Sequence, residues 1–177
     1  MYPGRYAQAN PDKAAAICAD TGEVLTYGEL EDRSIRLSQA LRSLGAERGD
    51  RVAVVSDNSL RYFEIYWAIL RSGLYITAVN SHLTAGEVAY IVNDCDAKAL
   101  IVSAELRELA ESVVLLAPEA GIRLAFGGEV DGFDSYEDAL SEASELPLDD
   151  TRRGADMLYS SGTTGTPKGI KLSLIHI

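Results

Sequence analysis

The chain has 177 residues, of which 47% are hydrophobic, and a formal net charge of −11 at pH 7. The apolar fraction suffices for a globular core and excludes a disordered chain, and the length suits one domain or at most two. The acidic excess argues against nucleic acid or an anionic membrane as a partner, because both bind clustered Lys and Arg side chains.

The amino-terminal residues MYPGRYAQANPDK contain no apolar core, and no stretch approaches the roughly 18 apolar residues that span a bilayer. Cys18 and Cys95 form no CxxC pair and have no nearby histidine, so we interpret them as free thiols. These features predict a cytoplasmic protein without a transmembrane segment.

Helical periodicity alternates with short apolar runs along the chain. Two capping-box patterns, Thr26 with Glu29 and Thr84 with Glu87, each precede apolar residues at helical spacing. The predicted helices lie between Thr26 and Gly45, between Asn58 or Ser59 and Gly73, between Thr84 and Asp94, between Ser103 and Leu116, and after Ser135. The predicted strands are residues 51–55, 74–79, 98–102, 122–126 and 156–159. This alternation predicts an α/β fold, a mostly parallel sheet with helices on both faces.

Four aromatic residues and one histidine are interpreted as structural rather than as parts of a functional site. Tyr62, Phe63, Tyr66 and Trp67 could form an aromatic ligand site, but their helical spacing favours core packing. His82 follows a predicted strand without a carboxylate nearby, and we interpret it as structural or solvated rather than catalytic.

The run YSSGTTGTPKG, residues 159–169, combines glycines, small hydroxyl residues and one lysine in a single loop. Glycines let backbone N–H groups converge on one point, hydroxyls add donors, and the lysine places a positive charge against phosphate. The run does not match GxxxxGK[ST], because counting from Gly162 puts Pro167 at the second glycine and Gly169 follows Lys168. A flexible linker is the alternative to a phosphate loop.

This run resembles the phosphate-loop signature of the adenylate-forming enzymes, the superfamily of acyl- and aryl-CoA synthetases, luciferases and peptide-synthetase adenylation domains. Residues 25–54 and 72–102 resemble earlier segments of the same superfamily, in the same order and at similar spacing. Within it, GLYITAVNSHLT at residues 73–84 is similar to bacterial fatty-acyl-CoA synthetases.

The resemblance implies a ligase that activates a carboxylic acid, expected to be a fatty acid, with ATP, Mg²⁺ and coenzyme A. The acid and ATP would form acyl-AMP, and CoA would then displace AMP to give the thioester. It implies that Lys168 is catalytic and that Thr163 helps to hold Mg²⁺. The residues it assigns to the phosphates of ATP are Ser160, Ser161, Gly162, Thr163, Thr164, Gly165, Thr166, Pro167 and Lys168. The alternatives are an aryl-CoA ligase, a peptide-synthetase-like adenylation domain, and a non-catalytic nucleotide-binding protein.

The resemblance covers most of residues 25–171, and we interpret residues 1–171 as a partial amino-terminal adenylation domain that ends just after the phosphate loop. The acyl pocket, the ribose contact, most of the CoA site and the carboxyl-terminal domain with its lysine would follow, so we expect this fragment to lack ligase activity by itself. Residues 172–177 read LSLIHI, the translation of a transposase adapter used in sequencing libraries, and we interpret them as a non-native tail. A genuine strand is the alternative, because the composition favours strands.

The interpretation of the tail predicts the native gene sequence. We expect the natural protein to diverge from this sequence immediately after Lys171 and to continue for several times the present length. Amplifying and sequencing the locus from source DNA measures this directly. A stop codon after Ile177 in the native gene would contradict it and favour a small nucleotide-binding protein.

Overall fold

The computed structural model describes residues 3–150, 153–160 and 167–171. Residues 172–177, interpreted above as a non-native tail, lie outside them. The strands are β1 (Ala14–Ile17), β2 (Val24–Thr26), β3 (Arg51–Val55), β4 (Tyr75–Val79), β5 (Ala97–Ser103), β6 (Ile122–Phe126), β7 (Asp134–Ser135), β8 (Ala155–Ser160) and β9 (Lys168–Lys171). The helices are α1 (Gly4–Ala9), α2 (Tyr27–Ser43), α3 (Arg61–Arg71), α4 (Ala85–Asp94), α5 (Arg107–Leu116) and α6 (Tyr136–Glu142).

Within the described residues, seven strands form one sheet in the order β7-β6-β5-β3-β4-β8-β9, and β1 and β2 form a separate antiparallel pair. The neighbouring strands of the large sheet run parallel except for β8 and β9, which are antiparallel. The prediction of an α/β fold with a mostly parallel sheet is therefore confirmed.

Both faces of the sheet are buried, as the continuous apolar sequence of β3 predicts. Val52 and Val54 face a cluster that includes apolar residues of α2, α3 and α6. Ala53 and Val55 face a second cluster that includes apolar residues of α4 and α5. Helices therefore cover the sheet from both sides. In the ranges that the structure describes, none of them has the length and apolarity to cross a membrane.

The capping boxes form as the sequence predicts. The Thr26 hydroxyl accepts from the Glu29 N–H at 3.2 Å, and the Glu29 carboxylate accepts from the Thr26 N–H at 2.8 Å. The second box opens α4 in the same way. The helix α3 differs from its prediction, because Leu60 is its N-cap; the Ser59 hydroxyl accepts from the N–H of Arg61 at 3.2 Å. Asn58 does not cap the helix, since the chain already turns helical at Leu60, where φ is −62° and ψ is −25°.

The short elements α1, β1, β2, β7 and β9 are not among the predicted ones. The helix α1 has six residues, fewer than two turns, and the four strands have two to four residues each. The strand β9 begins within the predicted phosphate-loop motif, residues 159–169.

The interpretation of the four aromatic residues of α3 is confirmed for three of them. Tyr62 and Tyr66 pack against the first cluster, and Trp67 packs against a small cluster near β2. Phe63 is 45% exposed, so the interpretation is wrong for it. His82 is exposed and its backbone N–H donates to Asn80 Oδ1 at 2.9 Å, which agrees with a solvated residue.

A buried carboxylate connects the three helices on the first face. Glu64 on α3 has 0% exposure, and it accepts from Arg33 Nε on α2 at 2.7 Å and from Arg61 Nη1 at 2.6 Å. The hydroxyl of Tyr136, at the start of α6, donates to the same carboxylate at 3.1 Å. Arg33 also donates to both oxygens of Glu137 at 2.8 Å. Burial, followed by the negative charge of Glu64, raises the pKa of Tyr136 well above its usual value.

Removing the Glu64 carboxylate should destabilise the fold. We expect Glu64→Ala to lower the free energy of unfolding by about 3 kcal/mol, because two arginines lose their shared partner. The change in urea midpoint of the 177-residue chain measures it. The matched control is Asp32→Ala, which removes an exposed carboxylate that pairs with Arg36 on the same face of α2, at 3.0 Å. An exposed pair of this kind contributes about 0.5 kcal/mol, so equal losses in the two variants would contradict the prediction.

Candidate functional site

The motif at residues 159–169 spans two antiparallel strands rather than following one. The strand β8 runs parallel to β4, so Ser160 lies at the same edge of the sheet as the carboxyl end of β4. Loops at this edge are the usual ligand sites of parallel sheets. The strand β9 then returns beside β8, with Ser160 opposite Lys168 and Tyr159 opposite Gly169. The described part of the motif therefore belongs to a β-hairpin, β8 and β9, in which Ser160 and Lys168 lie at the ligand edge of the sheet.

The connection itself lies outside the described residues. This applies to six of the predicted site residues, namely Ser161, Gly162, Thr163, Thr164, Gly165 and Thr166. The predicted Mg²⁺ ligand, Thr163, is one of them. Among the described residues, no group of three or more His, Cys, Asp or Glu side chains could hold a metal ion. The structure thus brings together three of the predicted residues, Ser160, Pro167 and Lys168.

Lys168 is exposed at the start of β9. Side chains alternate between the faces of a strand, so Lys168 and its partner Ser160 project to one face of the hairpin and Tyr159 and Gly169 to the other. Over residues 3–150, 153–160 and 167–171, no carboxylate forms an ion pair with Lys168. Its ammonium is therefore available to an anionic ligand beside the Ser160 hydroxyl.

The other face of the hairpin packs against the sheet's second cluster. Met157 and Tyr159 contact this cluster, which includes apolar residues of α4. The Tyr159 hydroxyl donates to Asp94 Oδ2, at the end of α4, over 2.6 Å. Burial raises the pKa of Tyr159, and the hydrogen bond to Asp94 raises it further. Tyr159 therefore keeps its proton at neutral pH and acts as a hydrogen-bond donor.

Gly169 leaves room for the Tyr159 ring. A Cβ at Gly169 would lie 2.9 Å from Met157 Cε and 3.0 Å from both Cζ and Oη of Tyr159. In the sequence, Gly169 is informative only because it stands where the motif GxxxxGK[ST] has Ser or Thr. In the hairpin, the missing Cβ allows the ring to cross β9 and reach Asp94.

A second glycine fixes the start of β8. A Cβ at Gly154 would lie only 2.0 Å from the carbonyl oxygen of Leu74. The close approach lets the Gly154 N–H donate to the Leu70 carbonyl at 2.7 Å. It also lets the Ala155 N–H donate to the Leu74 carbonyl at 3.2 Å. The strand that carries Ser160 is therefore anchored to the end of α3 and to the entrance of β4.

Residues 4–175 match the family described as "AMP-binding enzyme". The chain belongs to this family. The sequence-based resemblance to adenylate-forming enzymes is therefore confirmed, over nearly the whole chain.

Two relatives illustrate the similarity. A fatty acid–[acyl-carrier-protein] ligase, ScoC, from Streptomyces coeruleorubidus is 33% identical over 169 residues, which are 95% of this chain and 31% of that protein. A long-chain-fatty-acid–CoA ligase from Thermus thermophilus is 34% identical over 165 residues, 86% of this chain and 29% of that protein. This chain thus spans about a third of the length of the curated relatives that it matches.

Two solved structures have the same fold. The anthranilate CoA ligase AuaEII, in complex with anthranoyl-AMP, superposes with a TM-score of 0.84 and 26% identity, over 95% of this chain and 33% of that one. The apo structure of MbtA from Mycobacterium smegmatis gives a TM-score of 0.81 and 28% identity, over 95% and 32%. The α/β fold of this chain is therefore shared with these two solved structures.

The packing of Gly169 predicts a pH effect. In Gly169→Ala the new Cβ displaces the Tyr159 ring from Asp94, so the pKa of Tyr159 should fall toward the ordinary tyrosine value of about 10. NMR titration of tyrosines labelled with carbon-13 at Cζ measures this, with Tyr159→Phe assigning the signal. The control is Gly86→Ala on α4, because no described atom lies within 4 Å of a Cβ added there. A Tyr159 pKa that is the same in wild type and Gly169→Ala would contradict the prediction.

Proposed function

We propose that residues 1–171 are the amino-terminal part of an ATP-dependent, AMP-forming acyl-CoA synthetase and carry its phosphate-binding loop. The observation that supports this most strongly is the hairpin, which presents Ser160 and Lys168 side by side at the ligand edge of the sheet. No carboxylate of the described residues pairs with the Lys168 ammonium. Membership of the AMP-binding family supports it independently. The 177-residue chain alone would lack ligase activity, because the proposal assigns the acyl pocket and CoA site to other parts of the enzyme.

The proposed reaction has two steps. A carboxylate oxygen of the acid attacks the α-phosphorus of ATP, the bond from that phosphorus to the bridging oxygen breaks, and pyrophosphate leaves with the electron pair. The CoA sulfur then attacks the acyl carbonyl carbon, the thiol proton is lost, and AMP leaves. The first step brings an anion to an already anionic phosphate. It therefore needs groups that offset negative charge and hold the leaving pyrophosphate in place.

The residues of this chain fit that requirement. The Lys168 ammonium would pair with the polyphosphate, and the Ser160 hydroxyl would donate to a phosphate oxygen on the same face of the hairpin. We assign Ser160, Ser161, Gly162, Thr163 and Thr164 to the wrapping of the β- and γ-phosphates. Gly162 and Gly165 would permit the turn, Thr166 would occupy the variable position, and Pro167 would stiffen the exit. Mg²⁺, held with the help of Thr163, would neutralise further charge on the phosphates.

For the acid, we propose a fatty acid. The sequence of residues 73–84 supports this, and so do the names of the relatives from Streptomyces coeruleorubidus and Thermus thermophilus, which both specify fatty acids. An aromatic acid is the second candidate, because a feruloyl-CoA synthase from Amycolatopsis is 34% identical over 97% of this chain. The need for ATP and CoA as co-substrates supports a cytoplasmic site of action.

Loss of the Lys168 charge should slow adenylation. In the protein that the native gene encodes, we expect Lys168→Ala to reduce acid-dependent ATP–pyrophosphate exchange by roughly 10- to 1,000-fold, the range for losing one preorganised charge contact. Exchange is measured with a panel of fatty and aromatic acids, which also separates the two candidate substrates.

The matched control is Lys98→Ala, which removes an exposed lysine near the start of β5. It should leave exchange unchanged. Full exchange in Lys168→Ala would show that Lys168 does not act on the phosphates, and absence of exchange in the wild type with every acid would refute the proposed function.

A further inference from the structure

The last turn of α4 contacts β8 and the residue just before β9. On β8 the contact is the hydrogen bond from Tyr159 to Asp94. On the side of β9, the hydroxyl of Tyr90, one turn before Asp94, lies 3.4 Å from the carbonyl oxygen of Pro167. The same hydroxyl lies 3.4 Å from Asp94 Oδ1, and its single hydrogen serves one of these acceptors at a time. One helical turn therefore touches the residue before Ser160 and the residue before Lys168.

That turn is itself held in place. The guanidinium of Arg51 on β3 donates to the carbonyl oxygens of Cys95 at 2.7 Å and of Asp96 at 2.9 Å. Asn93 Nδ2 donates to the Leu116 carbonyl, at the end of α5, over 3.0 Å. Residues on both sides of Asp94 are thus bonded to other elements, so the carboxylate has a fixed position relative to the sheet.

The geometry points to Asp94 and Tyr90 as positioning residues for Ser160 and Lys168, because their contacts with Tyr159 and Pro167 fix where the paired ends of β8 and β9 lie relative to the sheet. This inference rests on the proposed function, and neither Asp94 nor Tyr90 would touch ATP.

The contacts are suited to positioning rather than to stability. Asp94 and Tyr90 are exposed, and a hydrogen bond in contact with water contributes little to the free energy of folding. Its geometric effect is larger, because the Tyr159 ring is rigid and its Cα is adjacent to that of Ser160. A shift of about 1 Å in the groups that hold a reacting molecule can cost about 100-fold in rate.

The test measures ATP–pyrophosphate exchange in the protein that the native gene encodes. We expect Asp94→Ala and Tyr159→Phe each to lower kcat about 10- to 100-fold, with the KM for the carboxylic acid unchanged. Asp94→Asn keeps an acceptor for the Tyr159 hydroxyl and should fall between Asp94→Ala and wild type. Tyr90→Phe should show a smaller loss, because its two contacts are long.

The matched control is Tyr66→Phe. The Tyr66 hydroxyl lies 3.5 Å from Asp156 Oδ2, at the other end of β8. This variant therefore removes another contact between a tyrosine hydroxyl and an aspartate. It should leave kcat unchanged, and its thermal unfolding midpoint should equal those of Asp94→Asn and Tyr159→Phe.

Full kcat in both Asp94→Ala and Tyr159→Phe would overturn the positioning role. So would activity losses that follow a lowered unfolding midpoint, because the contacts would then be structural. A wild-type protein without exchange would refute the proposed function, and this inference with it.

Discussion

The buried carboxylate of Glu64 is the interaction on which the arrangement of this chain depends most. An isolated charge in the interior is costly, so its burial requires partners, and Arg33, Arg61 and Tyr136 provide them from three helices. Near the end of the same helix α3, the Leu70 carbonyl accepts from the N–H of Gly154, the residue before β8. An ionic contact on one face of the sheet is therefore connected, through a single helix, to the strand that carries the phosphate-loop motif.

Much of the fold could be predicted from the sequence because its signals are local. The two capping boxes, the apolar run of β3 and the glycine after α2 each lie within a few residues of the element that they define. Glu64 gave no such signal, since a glutamate within an amphipathic helix ordinarily faces water. Its burial depends on Arg33 and Tyr136, which are 31 and 72 residues away in the chain.

The candidate site likewise combines features with a local sequence signal and features that depend on distant residues. Glycines, hydroxyls and a lysine in one run predict a phosphate loop at residues 159–169, and this stays a prediction. The hairpin was missed, because β9 has four residues and contains a glycine. Without β9, nothing in the sequence connects Tyr159 with Asp94, 65 residues earlier. Strand alternation places Ser160 and Lys168 on one face of the hairpin, and Tyr159 and Gly169 on the face that packs against the protein.

The direction of β9 determines where a reporter group could be attached. Since β9 runs back along β8, its residue 171 pairs with Met157, three positions before Ser160, a distance of about 10 Å along the strand. A fluorophore or affinity tag joined by replacement of the residues after 171 would begin on the side of the sheet away from the loop. Nucleotide binding could then be followed by fluorescence or surface capture without a bulky group beside Ser160 and Lys168.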